Sequence, residues 1–300
     1  MHSSVSVKFE KNPDSKNFDM GIKSKLSNLM NRRLMLFCIT VTALLILIAV
    51  ALAGILMPES AYATNFSQKN LAPSFAHPFG TDWTGRDMLA RTIKGLSVSL
   101  QVGTFSTMVS CCLAVFLGIG AATMGRAADT IFSWLVDIIL GVPHAVLLIL
   151  ISFAVGKGVQ GVFLGVAITH WPKVARIIRA EVLQLRSRQY IRASAKLGRS
   201  KWEVAKIHIV PQIIPQFIIA SILLFPHAIL HEASITFLGY GLPPEMPSVG
   251  IILAESMRYL TTGMWWLTVM PGVSLIFIVL LFEAIGENIR TLTDPYRAHE

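Results

Sequence analysis

Charged side chains are scarce in this sequence of 300 residues, because Asp, Glu, Lys and Arg together make up 14% while 53% of the residues are hydrophobic. A soluble domain carries about 25% charged residues, so this chain has too little polar surface to cover a water-soluble fold. Composition therefore excludes most soluble enzymes, coiled coils and disordered tails. A protein that crosses the membrane several times remains.

Cysteine is equally rare in the chain. Cys38, Cys111 and Cys112 all lie within apolar stretches. Their spacing matches neither a zinc site nor a disulfide framework. We therefore interpret them as small buried apolar residues.

Motifs that would give the chain its own catalytic centre are also missing. The sequence contains no GxxxxGK[ST] phosphate loop, which many ATPases use to cradle the nucleotide phosphates. It contains neither HExxH nor a serine nucleophile elbow, so a membrane protease is disfavoured. The inverted internal repeats that are common in ion-driven transporters are not apparent either. These absences disfavour an ATPase of the phosphate-loop type, a membrane protease and an ion-driven transporter.

Long apolar runs are what the sequence does contain. The clear ones cover residues 34–57, 96–124, 131–155, 209–230 and 264–282, and they suit a hydrocarbon core about 30 Å thick. A shorter uncharged run at 158–171 brings the expected number of transmembrane helices to six. The first run is too long for a signal peptide, so we expect an uncleaved anchor, with cleavage after Ala61-Tyr62-Ala63 as the alternative.

The distribution of charge orients these spans. Residues 173–211 carry a large excess of Lys and Arg over Glu, and this excess accounts for much of the net charge of +9. The segment between the last two spans instead carries Glu232, Glu245 and Glu255 against Arg258 alone. Cytoplasmic segments are the ones enriched in Lys and Arg, so residues 173–211 and both termini are predicted to be cytoplasmic. This placement argues against a nucleic-acid partner.

The expected layout follows from the spans and their orientation. It comprises a polar cytoplasmic segment at 1–33, the first transmembrane helix at 34–57, an extracytoplasmic segment at 58–95, a transmembrane core at 96–290 and a cytoplasmic tail at 291–300. Small residues recur at four-residue spacing in Gly118-xxx-Ala122 and Gly161-xxx-Gly165. Such spacing predicts close packing of helices within the core.

Residues 189–211 form the most informative cytoplasmic segment. The pattern predicts a helix that ends near Gly198, a residue suited to the left-handed conformation that closes helices. Ser200 and Glu203 form a capping box for a second short helix, and Pro211 then stands at the start of the next span. A continuous basic helix bound to anionic lipid is the alternative, and the break at Gly198 disfavours it.

The same segment resembles a known coupling element. Arg192-Ala193-Ser194, Gly198 and Pro211 have the order and spacing of the EAA loop of ABC-importer permeases, written EAA-x3-G-x9-I-x-L-P. In that family, the loop docks a short helix into a cleft on the ATPase subunit. The sequence departs from the pattern at Arg192, where the family has Glu, and at Ser194, where it has Ala.

Three further segments narrow the resemblance. Residues 77–87 (HPFGTDWTGRD), 234–250 and 271–295 are similar to motifs of the C-type permeases of dipeptide, oligopeptide and nickel importers. The resemblance implies an all-α membrane protein with about six transmembrane helices and a cytoplasmic coupling helix, the fold of binding-protein-dependent importer permeases.

The resemblance also implies partners. A second permease subunit would complete a heterodimer in the bacterial inner membrane, and two ATP-binding subunits would use ATP and Mg. An extracytoplasmic substrate-binding protein would deliver the cargo. This chain would bind no cofactor of its own.

Several polar residues fall inside the predicted spans, where a charge costs several kcal/mol and needs a reason. We expect Asp137, His144, His227, His231 and Glu232 to line the translocation path. His227 and His231 share one helix face at i and i+4, so they could bind a divalent metal ion transiently. The alternative is that these histidines form hydrogen bonds across the bundle or line a hydrated cavity.

The histidines also bear on the cargo. The pair His227 and His231, together with Thr169-His170-Trp171 and Arg176, resembles the nickel branch of the family. The resemblance favours nickel, cobalt or a metal–metallophore complex as cargo, with di- or oligopeptides as the alternative.

Overall fold

The protein, described here by a computed structural model over residues 13–293, is built from α-helices. The helices are α1 (Pro13–Leu56), α2 (Met88–Thr123), α3 (Arg126–Gly141), α4 (His144–Val155), α5 (Gly158–Arg186), α6 (Gln189–Lys196), α7 (Lys201–Val204), α8 (Val210–Phe237), α9 (Val249–Ser256) and α10 (Trp266–Thr293). Most of the predicted tail at 291–300 lies outside the described residues, as does the beginning of the predicted N-terminal segment. The rest of that polar segment belongs to α1.

Four helical stretches of the described residues are long and apolar enough to span a membrane. They are Arg32–Leu56, Met88–Thr123, Trp202–Phe237 and Trp266–Thr293. The pair α3 and α4 makes a fifth span if the two helices are counted together. The predicted all-α membrane fold is confirmed, and the spans that qualify by length and composition number up to five instead of six.

The expected span that does not qualify is the run at 158–171, which belongs to α5. The uncharged run at 158–171 is only the first half of this helix, which continues through Pro172 and carries Lys173 and Arg176 in its second half. The whole helix is therefore too polar to qualify by composition. Its apolar half nevertheless lies inside the bundle, where it packs along α2 and against α4 and α8.

The predicted span at 131–155 is not one straight helix. α3 and α4 meet at an angle of 97° across Val142 and Pro143. Proline lacks a backbone N–H and disfavours helical geometry in the residue before it. Val142 accordingly has an extended backbone, with φ −90° and ψ 137°. The run at 131–155 is therefore two helices bent at this proline, which together form either one broken span or a re-entrant loop.

The predicted close packing of small residues is confirmed within the core. A Cβ atom added at Gly118 on α2 would lie 2.9 Å from the carbonyl oxygen of Ala175 on α5. One added at Gly161 on α5 would lie 2.8 Å from the carbonyl oxygen of Ser152 on α4. Glycine at these positions allows the backbones to approach, as expected for helices that pack in lipid.

The outside of the bundle is apolar, as a lipid-facing surface requires. Phe116, Trp134 and Phe153 all expose more than half of their surface. Cys111 is buried, whereas Cys38 and Cys112 lie on the exposed side. The interpretation of the cysteines as buried is therefore wrong for these two, because a small apolar residue that faces lipid needs no protein around it.

A buried ion-pair network anchors the loop between α1 and α2, residues 57–87, to the bundle. The carboxylate of Asp82 is fully buried and accepts hydrogen bonds from Arg86 Nε at 2.6 Å and Arg91 NH1 at 3.3 Å. Arg91, which is buried on α2, also donates to Glu255 on α9 at 2.5 Å. Asp82 therefore connects the loop to Arg91 on α2 and, through Arg91, to α9, which is distant in sequence.

Hydrogen bonds determine the ionisation of this carboxyl group. Burial raises the pKa of Asp82, but the hydrogen bonds from Thr84 and Arg86 and the positive charge of Arg86 outweigh burial and hold the pKa below its usual value. The charged form is therefore the one that the folded loop stabilises. This contribution is complete at neutral pH and is lost as the pH falls through the lowered pKa.

Gly118→Ala is predicted to destabilise the bundle, because its new methyl group would push α2 away from α5. Overpacking of this kind costs about 1–3 kcal/mol. Gly120→Ala is the matched control, since its Cβ would meet only the Met124 sulfur atom, at 3.9 Å. Thermal unfolding of the purified protein in detergent should show a lower midpoint for Gly118→Ala alone. Equal midpoints would contradict the packing argument.

Asp82→Asn is predicted to loosen the loop between α1 and α2, because it leaves Arg91 buried with only Glu255 as a partner. Breaking a buried ion pair costs about 3–5 kcal/mol. Protease cleavage within residues 58–87 should therefore become faster. Glu245→Gln, at an exposed acidic position, serves as the control.

In the unsubstituted protein, the loop should become as easily cleaved only at acidic pH. An acid protease should begin to cleave the loop below about pH 4, as Asp82 becomes protonated. Cleavage that is equally fast at pH 7 in both variants and in the unsubstituted protein would contradict the role of Asp82.

Candidate functional site

The segment at residues 189–211 has the helix–turn–helix form that its sequence predicts. α6 ends where the Leu197 N–H donates to the Ala193 carbonyl at 3.0 Å, and Gly198 then adopts a positive φ of 89°. The capping box is present as well. The Ser200 N–H donates to a Glu203 carboxylate oxygen at 2.8 Å, and the Glu203 N–H donates to Ser200 Oγ at 3.2 Å.

Buried apolar residues fix this segment to one end of the bundle. Ile191, Val204 and Ile209 are buried in the same core cluster as Val182 and Leu185 of α5. They form the inner face of the segment.

The segment continues into α8 without a break in helical structure. One π-helical turn at Ala205–Ile209 connects α7 to α8, so the helix runs from Trp202 to Phe237. The amide of Gln212 on α8 also donates to the Tyr190 hydroxyl on α6 at 2.7 Å. A displacement of the segment would therefore be transmitted to α8.

Most of the residues that match the coupling motif are exposed on this chain. Arg192, Ala193, Gly198 and Pro211 are exposed, whereas Ser194 is buried. Ser194 therefore packs inward, although its place in the motif predicts a coupling role.

Two exposed apolar side chains on this face were missed by the sequence analysis. Leu197 is 84% exposed and Trp202 is 75% exposed, and they flank the turn at Gly198. Their signal in the sequence was a large apolar residue on each side of the glycine, within an otherwise basic stretch. A tryptophan this exposed within a basic segment is typical of a contact surface.

Asp137 takes part in an ion pair between helices. Its carboxylate accepts a hydrogen bond from Arg176 on α5 at 2.6 Å, and both side chains are exposed on this chain. About two turns before Asp137, near the start of α3, Asp129 accepts two bonds from Arg179, at 2.5 and 2.7 Å. These pairs hold α3 against α5, and the sequence analysis did not identify Asp129.

Three histidines from three different helices meet inside the bundle. The ring centroids of His144 and His231 are 4.4 Å apart, those of His144 and His170 are 4.7 Å apart, and those of His170 and His231 are 5.2 Å apart. One ring nitrogen from each residue lies within 4.8 Å of the other two. We call these residues the histidine cluster.

The structure thus regroups the residues expected along the path. His144 and His231 join His170, whereas His227 is exposed one turn earlier on α8 and lies outside the cluster. In the sequence, only the resemblance to the nickel branch points to His170, because its neighbours in the chain give no sign of a contact with α8.

Glu232 lies close to the cluster in sequence but has a different environment. It is fully buried, and one carboxylate oxygen accepts a hydrogen bond from Thr236 at 3.0 Å. Thr236 in turn accepts from the Leu242 N–H at 3.1 Å. Glu232 therefore supports the turn that follows α8.

Comparison with protein families gives a match over most of the helical core. The model of the family described as "Binding-protein-dependent transport system inner membrane component" matches residues 114–293. This range includes the segment at residues 189–211 and the histidine cluster.

Curated relatives match over most of their length. The chain is 34% identical over 249 residues to the dipeptide transport system permease protein DppC of Alkalihalophilus pseudofirmus, covering 83% of this chain and 82% of that protein. It is 29% identical over 253 residues to the protein of the same name in Bacillus subtilis, covering 84% of this chain and 79% of that one.

Solved structures show the same fold at low sequence identity. An inward-facing structure of the MetNI methionine ABC transporter aligns with a TM-score of 0.57 and 19% identity, covering 69% of this chain and 98% of that chain. An amino acid ABC transporter aligns with a TM-score of 0.52 and 18% identity, covering 66% and 92%. Together with the family match, this fold shows that the chain belongs to the binding-protein-dependent transport system inner membrane components, the permease components of ABC transporters.

Proposed function

We propose that this chain is one permease subunit of an ATP-driven importer for di- or oligopeptides in the bacterial cytoplasmic membrane. The observation that carries the cargo assignment is the 34% identity to a dipeptide permease over 83% of this chain. The expectation of nickel or a metallophore complex finds no support among these relatives. The peptide alternative is therefore the better proposal.

The partners follow from the family. Importer permeases of this kind work with ATP-binding subunits and a substrate-binding protein. We infer that this chain pairs with a second permease subunit to enclose the translocation path. Two ATP-binding subunits, which use ATP and Mg, supply the energy from the cytoplasmic side.

The contact surface for an ATP-binding subunit is the outer face of α6 and α7. Leu197 and Trp202 are exposed there, and a large apolar side chain is stabilised by burial to the extent of about 1.5–3 kcal/mol. The turn at Gly198 sets the angle between the two short helices. Arg192 and Ala193 lie on the same exposed side.

Movement of the contact surface is transmitted to α8 because the two are parts of one continuous helix. The helix from Trp202 to Phe237 carries the contact surface near one end and His231 towards the other. When ATP draws the ATP-binding subunits together, the segment moves with them and tilts α8. Alternating access of this kind requires two packings of the same helices that differ by a few kcal/mol.

Gly198→Ala is predicted to lower dipeptide uptake several-fold, because a side chain in this left-handed conformation costs about 1–2 kcal/mol. Gly263→Ala is a matched control, since Gly263 has a φ of 87° and, like Gly198, open space around its Cβ position. Uptake of a labelled dipeptide should fall for Gly198→Ala only, at equal membrane levels. Equal uptake by both variants would contradict the coupling role.

Trp202→Ala is predicted to weaken binding of the ATP-binding subunits about tenfold or more, because it removes the largest exposed apolar side chain of the contact surface. Co-purification with those subunits measures this loss. Trp134→Ala is the control, as Trp134 on α3 is 63% exposed but outside the segment. Equal co-purification of the two variants would contradict the docking surface.

The cargo itself is tested by uptake in cells with and without the chain. Labelled dipeptide and labelled nickel ions are compared in parallel. Dipeptide uptake that depends on the chain is the expected result. Chain-dependent nickel uptake without dipeptide uptake would overturn the peptide assignment.

A further inference from the structure

The proposed import of a peptide does not call on the histidine cluster. His144, His170 and His231 come from α4, α5 and α8, so their proximity is a product of the tertiary structure. His170 is only 4% exposed, and the other two are half-buried. Polar groups this deep in a bundle need hydrogen-bond partners or a ligand.

The hydrogen bonds of His170 determine which of its ring nitrogens carries the proton. Nδ1 lies 2.9 Å from the Val166 carbonyl oxygen, which can only accept a hydrogen bond. The neighbouring Thr169 hydroxyl already donates to the Gly165 carbonyl at 2.8 Å. Nδ1 therefore carries the proton in the neutral ring, and Nε2 carries a free lone pair.

This lone pair has no hydrogen-bond donor within the described residues. The Nε2 atoms of His170 and His144 are both buried without a partner. A histidine that donates one N–H to a backbone carbonyl and presents its other nitrogen to a shared space has the arrangement of a metal ligand. The carbonyl fixes both the tautomer and the orientation of the ring.

The surrounding backbone suits an ion site inside a membrane protein. His144 is the first residue of α4, directly after the bend at Pro143. His170 lies about 18 Å along α5 from its start at Gly158. Interrupted helices within a bilayer are tolerated where they are enclosed by protein or line a cavity.

We propose that His144, His170 and His231 form a binding site for a divalent transition metal ion such as Ni²⁺, Co²⁺ or Zn²⁺. Imidazole nitrogen suits these ions, whereas Mg²⁺ and Ca²⁺ prefer oxygen ligands. Ligand distances of about 2.0–2.1 Å require the three nitrogens to move together by rotation of the rings. Metal binding at this site is a property separate from peptide import, and it can be measured on the purified protein without transport.

Three protein ligands leave one tetrahedral position open. Lys173, one turn after His170 on α5, is exposed and brings positive charge to this side of the helix. An anionic donor on the ion, such as the carboxylate of a chelating amino acid, would balance that charge. The same coordination chemistry thus fits the ion alone and an ion held by a small chelator.

The test is a binding measurement on the full chain, purified in detergent with its partner subunits. Ni²⁺, Co²⁺ and Zn²⁺ are titrated at pH 7.5, each as the chloride and each with one equivalent of free histidine. We expect one ion per chain. His170→Ala and His231→Ala should each weaken binding by roughly tenfold or more.

His227→Ala is the matched control, because His227 lies one turn before His231 on the same helix but outside the cluster. Its affinity should equal that of the unsubstituted protein. His231→Cys should retain binding, since a thiolate replaces imidazole as a ligand, and with Co²⁺ it should add a sulfur-to-metal absorption band. This variant separates the loss of a ligand from the loss of the fold.

Acid should release the ion, because protonation of an imidazole removes the lone pair that binds it. Affinity should therefore fall as the pH is lowered. Three results would each overturn the site: no binding of any of the three ions, equal losses in His227→Ala and His231→Ala, or a Co²⁺ spectrum unchanged by His231→Cys.

Discussion

Hydrocarbon lipid offers no hydrogen-bond partner, and this constraint governs where the polar groups of the chain lie. Several hydroxyl groups on the spans satisfy it locally. Thr40, Thr104 and Ser221 each donate to the carbonyl four residues earlier on their own helix. The lipid-facing surface is left to apolar side chains.

The same constraint makes the interruption at Pro143 informative. The bend leaves backbone outside regular helix between α3 and α4, and such backbone needs protein or a cavity around it. The histidine cluster lies next to this bend, with α5 and α8 on its other sides. The bend itself is exposed on this chain, whereas the unpartnered nitrogens of His144 and His170 beside it are buried.

α8 joins this region to the segment at residues 189–211. The beginning of α8 continues from the short helix after Gly198, while His231 and Glu232 lie towards its other end. Because helical structure is unbroken between them, a push at the contact surface and a change around His231 act on one element. In the proposed importer, ATP-driven movement and the environment of the path are linked through this helix.

Local patterns were sufficient for much of the molecule. The apolar runs predicted the spans, and the capping box of Ser200 and Glu203 with the turn at Gly198 appears in the structure as expected. Such features depend on residues within one or two turns, so a linear sequence contains them. The charge distribution likewise predicts how the spans are oriented in the membrane, and this orientation stays a prediction. The family motifs in residues 77–87 and 192–211 also lie in short continuous segments.

Only the tertiary structure decided which distant residues meet. The i, i+4 pattern paired His227 with His231, yet packing turned His231 towards His144 and His170 and left His227 exposed. Asp82 was part of a motif, but its contact with Arg91 and the bond from Arg91 to Glu255 depend on how α2 and α9 pack. Sequence spacing determines which residues share a helix face, whereas the rotation of each helix against its neighbours is set by the packing of the whole bundle.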